Sequence, residues 1–195
     1  MCSSDLTSML WFERLRDGRP RPPGQWRRRC LATVGTHDVP PVAAFVTGEQ
    51  VTLRAGLGLL TRDLAAERAD AAAALQAWQD ALAREGLGGP AARQARPDPA
   101  EFTVALYGYI ARTPAALVGV SLADAVGERR PQNLPGTTTQ YLNWCVPLAD
   151  GDGRPVLLED LATHPGVRAV AAAISRPGGR VPGSAAPARG RPGPR

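Results

Sequence analysis

An α/β fold built on a small parallel sheet is what this chain predicts, and three observations carry that reading. Met9 to Phe12, Leu31 to Thr36 and Leu117 to Leu122 are short apolar runs with the length of buried strands. Between the second and third, leucines and aromatics recur at helical spacing. Strand, helices, strand is a crossover unit, which lays its strands parallel and needs helices on the sheet's faces.

Taken in order, the first run is followed by the turn-rich stretch from Asp17 to Gly24, and Leu31 to Thr36 supplies the second strand. A helix is predicted to begin near Pro41. Leu57, Leu60, Leu64, Ala71, Leu75, Trp78 and Leu82 then return every three or four residues or multiples of that spacing, one apolar face of a helix ending near Gly86. Asp98-Pro99-Ala100-Glu101 opens another helix, with Asp98 as N-cap, Pro99 in the first helical position and Glu101 completing a capping box. Its buried face is Phe102, Leu106 and Ile110, and it stops before Pro114. Leu117 to Leu122 reads as a buried strand, and Val167, Val170 and Ile174 line a last short helix. Trp11, Phe12, Trp78 and Phe102 read as core, whereas Trp26 and His164 carry no usable signal.

Composition disarms one tempting reading. All 23 basic residues are arginine, and the formal charge of +5 points to nucleic acid only until it is located. Arg176, Arg180, Arg189, Arg191 and Arg195 lie in a Gly/Pro/Ala tail with no acidic residue, and the remaining arginines balance the 18 carboxylates. A charge confined to such a tail argues for disorder, so no nucleic-acid partner is expected. Cys2, Cys30 and Cys145 form no Cys-x-x-Cys pair, which points away from zinc and from a disulfide framework. No run reaches the roughly 18 apolar residues that cross a bilayer. The expectation is a cytoplasmic protein with no metal, cofactor or membrane partner.

Chemistry concentrates in two places. Thr36-His37-Asp38 puts an imidazole and a carboxylate where a strand gives way to its loop. In α/β barrels, catalytic groups gather at that end of the strands. Gln132-Asn133-Leu134-Pro135-Gly136-Thr137-Thr138, with Asn143-Trp144 close behind, offers carboxamides and an aromatic face, the groups that bind sugars. Taken alone, a His-Asp pair after a strand is more often a hydrogen-bonded loop pair than a catalytic dyad. Asn133 reads either as a sugar contact or as the closure of a turn before Pro135-Gly136. Asn143 and Trp144 divide between anchoring the loop and binding sugar, since tryptophan faces both stack on rings and fill cores. Two or three strands leave a sheet with an open edge and cannot close a barrel, so a fragment is expected.

The series Leu10-Trp11-Phe12-Glu13, Ala32 to Pro40, Ala111-Arg112-Thr113-Pro114, Gln132 to Thr138 and Asn143-Trp144 resembles, in order, the C-terminal part of the 4-α-glucanotransferases (amylomaltases or disproportionating enzymes) of glycoside hydrolase family 77. The likeness runs from about Thr7 to about Ile174. It implies the C-terminal part of a TIM-like (β/α)8 barrel, incomplete in this chain, and transfer of α-1,4-glucan segments between maltooligosaccharides by a retaining covalent route. Asp38 matches the family's third carboxylate, which stabilises the transition state, and His37 matches the donor to sugar hydroxyls beside it. Asn133, Asn143 and Trp144 match the substrate-binding loop that follows the last barrel strand.

The family's nucleophilic aspartate and acid/base glutamate precede the Leu-Trp-Phe-Glu motif and have no matching position here, so the chain alone is expected to be inactive. The alternative is a non-catalytic carbohydrate-binding remnant. Departures from the family pattern are Cys145 where an arginine is usual after Asn-Trp, Ala123 where a carboxylate is frequent beside Asp124, and Thr139 and Gln140 where acids are common. Residues 1–6 read as a non-native leader, matching a translated sequencing adapter, 7–175 as the barrel portion, and 176–195 as a disordered tail or a change of reading frame.

Overall fold

The computed structural model describes residues 6–90 and 94–175; nearly all of the expected leader and the whole of the expected tail lie outside them. Three parallel strands, β1 (Thr7–Met9), β2 (Leu31–Thr33) and β3 (Leu117–Gly119), form a sheet in the order β1-β2-β3. Thr7 pairs with Leu31 and Leu31 with Leu117, so the carboxyl ends of all three strands emerge on one rim. β1 precedes its predicted run and shares only Met9 with it, whereas β2 and β3 are shorter than theirs. Leu10–Phe12 winds into a 3-10 turn and the extended pairing of β2 ends at Thr33, because the residues beyond feed loops instead of a neighbouring strand.

The helices are α1 (Val42–Thr47), α2 (Glu49–Gly56), α3 (Leu64–Arg84), α4 (Pro99–Ile110), α5 (Leu122–Val126) and α6 (Pro165–Ser175). The helix expected to begin near Pro41 and the apolar-faced helix expected to end near Gly86 are three helices, α1, α2 and α3. Gly48, at φ 76°, supplies the left-handed residue that ends α1, and Asp63 starts α3 by accepting from Ala66 N at 2.8 Å. Leu57 and Leu60 precede α3, and its buried face, Leu75, Trp78, Ala81 and Leu82, occupies only its second half. The first half of α3 is alanine-rich and largely solvated.

Helix α4 is the axis of the core. Asp98 caps it, accepting from Glu101 N at 2.8 Å, and Pro99 stands at its start as predicted. Phe102, Leu106 and Ile110 are fully buried, but so are Tyr107 and Tyr109, so beyond its first turn the helix is buried well outside a single stripe. Tyr109 donates to Arg21 O and Trp26 Nε1 donates to the same carbonyl, which ties the excursion between β1 and β2 to this core. Trp11 packs on Phe45 and Trp78, whereas Phe12, expected in the core, is exposed because its 3-10 turn points it outward.

The expected strand from Leu117 to Leu122 divides in two. Leu117 is 65% exposed on an open sheet edge, and Ser121 ends the extended stretch by capping α5 through a bond from Asp124 N. Leu122, the expected end of that strand, thus opens a helix with Ala123 and Asp124. Val170 of α6 is buried, with Val167 and Ile174 beside it, as the pattern required.

Gly166 lies where α6 crosses α5, and a Cβ there would collide with the carbonyl oxygen of Ala125. Gly166→Ala should destabilise the chain by about 1–3 kcal/mol through overpacking. Asp98→Ala should cost about 1 kcal/mol through the lost cap. Urea denaturation followed by far-ultraviolet circular dichroism measures both.

Candidate active site at the carboxyl rim of the sheet

The loop after β2 carries Thr36, His37 and Asp38 onto the rim. Its course is set by close packing at Gly35, where a Cβ would meet Val39 Cγ2 at 2.9 Å. Its far end is set by Asp124. That carboxylate accepts from Val42 N, the first amide of α1, at 2.8 Å and from the Tyr107 hydroxyl at 2.9 Å, and Tyr107 in turn accepts from Ser121 N. Pro40 and Pro41 have no amide hydrogen to give, and Pro41 has no capping side chain, so a residue 82 positions away does the capping. Burial pushes the Asp124 carboxyl upward in pKa, against the two hydrogen bonds that favour its charge. Burial, helped by Asp124's charge, also pushes the Tyr107 hydroxyl up.

Four of the five sequence-predicted site residues meet in one cluster. Asn133 Nδ2 donates to Asp38 Oδ1 at 2.7 Å across 95 residues of chain, and Asn133 N donates to His37 O at 3.3 Å. His37 Nε2 stands 3.3 Å from Asp38 Oδ2, and the imidazole tilts against the Trp144 ring with centroids 4.7 Å apart. Asp38 and His37 are each about half exposed, and Trp144 is 64% exposed, so one face of the cluster is open to a ligand. Asn143 stands apart: its carboxamide accepts from Leu134 N and donates to Thr137 Oγ1, both at 2.8 Å. Its side chain is spent on the loop, the anchoring side of its two readings.

Beside the cluster lies a cavity of about 450 Å³. Its wall takes one contribution from beyond each strand: Trp11 after β1, Gly35 to His37 and Val39 to Val42 after β2, and Ser121 to Asp124 after β3. His37 lines it, while Asp38, Asn133 and Trp144 lie outside its wall. A larger cleft between the Gly86–Gly89 turn, α4, α5 and α6 is mainly apolar and away from His37 and Asp38.

Three other carboxylates, Glu13, Asp124 and Glu128, are committed to structural partners. Glu13 pairs with Arg21 at 3.1 Å. Asp124 is buried as described. Glu128, with its side chain only 2% exposed, accepts from Arg129 N, Arg130 N, Ala149 N and the Arg130 guanidinium. Burial pushes the Glu128 carboxyl up, but the bonds from Arg130 and Ala149 together with Arg130's charge hold it below the usual glutamate value. No group of three or more candidate metal ligands occurs among the described residues. No helix among them is long and apolar enough to cross a membrane. Sequence reasoning missed Tyr107, Asp124 and Glu128 as organisers. Ser121-x-x-Asp124 carried a capping signal; a buried Glu128 next to two arginines carried none.

A family model described as 4-alpha-glucanotransferase matches residues 5–151. The 4-alpha-glucanotransferases of Mycobacterium bovis and Mycobacterium tuberculosis are 49% identical over 172 residues, spanning 86% of this chain and 23% of theirs. That of Haemophilus influenzae is 29% identical over 147 residues, 72% of this chain and 21% of its own. The crystal structure of amylomaltase from Corynebacterium glutamicum superimposes with a TM-score of 0.80 at 41% identity, over 86% of this chain and 25% of that one. The fold is thus that of a segment of an α/β carbohydrate enzyme with a polar site on its strand rim. The chain belongs to the 4-alpha-glucanotransferase family, glycoside hydrolase family 77, and spans about a quarter of the length of the relatives it matches.

The lowered pKa of Glu128 makes its contribution to stability complete above the unfolded value, near 4.5, and lost as pH falls through the lower folded value. Glu128→Gln should therefore lower Tm most at neutral pH. The gap from the parent chain should narrow as pH falls below about 4.5; thermal denaturation at neutral and at acid pH checks it.

Proposed function

We propose that this chain is the C-terminal part of a TIM-like (β/α)8 barrel whose whole enzyme transfers α-1,4-glucan segments between maltooligosaccharides. The observation that carries the reading is the Asn133–Asp38–His37–Trp144 cluster, open to solvent at the carboxyl ends of parallel strands, where barrel enzymes hold their catalytic groups. The open edge at β3 is what a barrel segment would leave. Family membership supplies the reaction class, and the cellular setting that goes with it is cytoplasmic.

Retaining transfer uses two carboxyl groups about 5 Å apart, one attacking the anomeric carbon and one moving the proton at the glycosidic oxygen. Asp38 serves as neither in this reading. Its Oδ1 is steadied by Asn133 and its Oδ2 by His37, which leaves lone pairs for the hydroxyls of a pyranose. A carboxylate holding neighbouring hydroxyls stabilises the ring as it flattens toward the oxocarbenium-like transition state. His37 contributes a hydrogen bond to a sugar hydroxyl, and the exposed Trp144 face offers a stacking surface. Asn133 binds from the loop side, and Asn143 supports that contact by holding the loop.

Glu13, Asp124 and Glu128 each have a structural partner, which supports the expectation that nucleophile and proton donor come from chain preceding the Leu-Trp-Phe-Glu motif. Without both, binding contacts leave little turnover. The purified chain should bind maltoheptaose, detected by calorimetry, with affinity weakened by about tenfold or more in Asp38→Asn, the scale of a lost charge-assisted hydrogen bond. It should release no glucose from maltotriose. Glucose release that Asp38→Asn abolishes would overturn the expectation of inactivity, and absence of any maltoheptaose binding would overturn the sugar-site reading.

A further inference from the structure

Asn133 and Trp144 reach Asp38 and His37 from a 16-residue segment, 131–146, that has almost no core of its own. Pro131 and Leu134 are its buried apolar side chains, while Leu142 and Trp144 are exposed. Polar contacts must hold its shape. Tyr141 donates to Pro131 O at 2.7 Å and Trp144 N to Gln132 O at 2.8 Å, with Asn143 bracing Leu134 and Thr137. These bonds fold the segment on itself but do not attach it to the domain.

Attachment comes at its base. Glu128 Oε1 accepts from Arg129 N, Arg130 N and Arg130 Nε, each at 2.9 Å; Oε2 accepts from Ala149 N at 2.9 Å and Arg130 Nη2 at 2.7 Å. Arg130 Nη2 also donates to Pro147 O at 2.8 Å. One buried carboxylate and one guanidinium thus fasten the residues just before the segment to those just after it. A charge-assisted fork of this kind fixes direction as well as distance. Neither residue belongs to the Asp38 cluster.

We infer that the Glu128–Arg130 pair is a positioning device for sugar recognition: it clasps the two ends of segment 131–146 so that Asn133 and Trp144 meet Asp38 and His37 in binding geometry. The sugar part of this inference rests on the function proposed above; the clasp itself does not.

Hydrogen exchange by mass spectrometry and maltoheptaose titration of the full chain test the two parts separately. In Glu128→Gln, amides of 131–146 should exchange about tenfold faster or more, the scale of a lost charge-assisted bond. Amides of α4 should lose much less protection than those of the loop, and maltoheptaose affinity should fall by a factor similar to the loop's. Arg130→Lys, at a half-exposed position and keeping the charge without the fork, should give an intermediate effect on both and covers the case in which Glu128→Gln fails to fold. Asp98→Ala, which weakens the α4 cap far from the loop, should change neither loop exchange nor affinity. Unchanged exchange in 131–146, acceleration of equal size throughout the chain, or a loosened loop with unaltered affinity would each overturn the inference. If the parent chain does not bind maltoheptaose at all, the proposed function fails, while the exchange data still decide whether the clasp exists.

Discussion

The rest of the site depends on one buried carboxylate. Asp124 joins the start of α1, the hydroxyl of Tyr107 on the central helix and, through that hydroxyl, the turn after β3. The loop carrying His37 and Asp38 runs from β2 to α1, so whatever fixes the first amide of α1 fixes the far end of that loop. Burying a charge is costly unless its lone pairs are used, and here each oxygen has a donor. Loss of the carboxylate would leave an amide and a hydroxyl unpaired in the interior, at about 1–3 kcal/mol for each.

Around this anchor the molecule is divided by kind of force. The part behind the sheet is held by apolar packing: Trp78, Phe102, Leu106 and Ile110 are fully buried, and α4 is enclosed by its neighbours. The rim is held by hydrogen bonds and ion pairs, because loops that face a polar ligand cannot bury much apolar surface. The two regimes meet at Asp124, which lies between the apolar cleft and the cavity beside His37. Removing apolar area weakens the whole domain, whereas removing a rim contact is felt locally, a separation that lets binding be altered without loss of fold.

The sequence disclosed the parallel α/β plan, the Asp98 start of α4 and the last helix because local chemistry decides each of them: apolar runs, a cap, a helical period. It misjudged extents where tertiary context decides. Strands stopped after three residues because the chain beyond them turns into loops or helix, and Phe12 turned outward with its 3-10 turn. The alanine-rich half of α3 matched a stripe that nothing covers. The motif residues His37, Asp38, Asn133 and Trp144 were legible as candidates, and family resemblance grouped them. The bond between Asn133 and Asp38 was not, since a contact across 95 residues leaves no local pattern. Glu128 was opaque for the same reason: a carboxylate next to two arginines looks like any solvated charge run until burial is known.

Trp144 is the one non-glycine residue with positive φ among those described, at 64°. A bulky side chain in that backbone region costs about 1–3 kcal/mol that glycine would not. The ring gains little burial in return, so by thermodynamic stability alone the position is a poor use of tryptophan. Schemes that rank substitutions by folding free energy would choose glycine here and, in doing so, erase the aromatic surface against His37. The position marks a conflict between durability and recognition, and a thermostabilised version of this domain should be designed around it with Trp144 left in place.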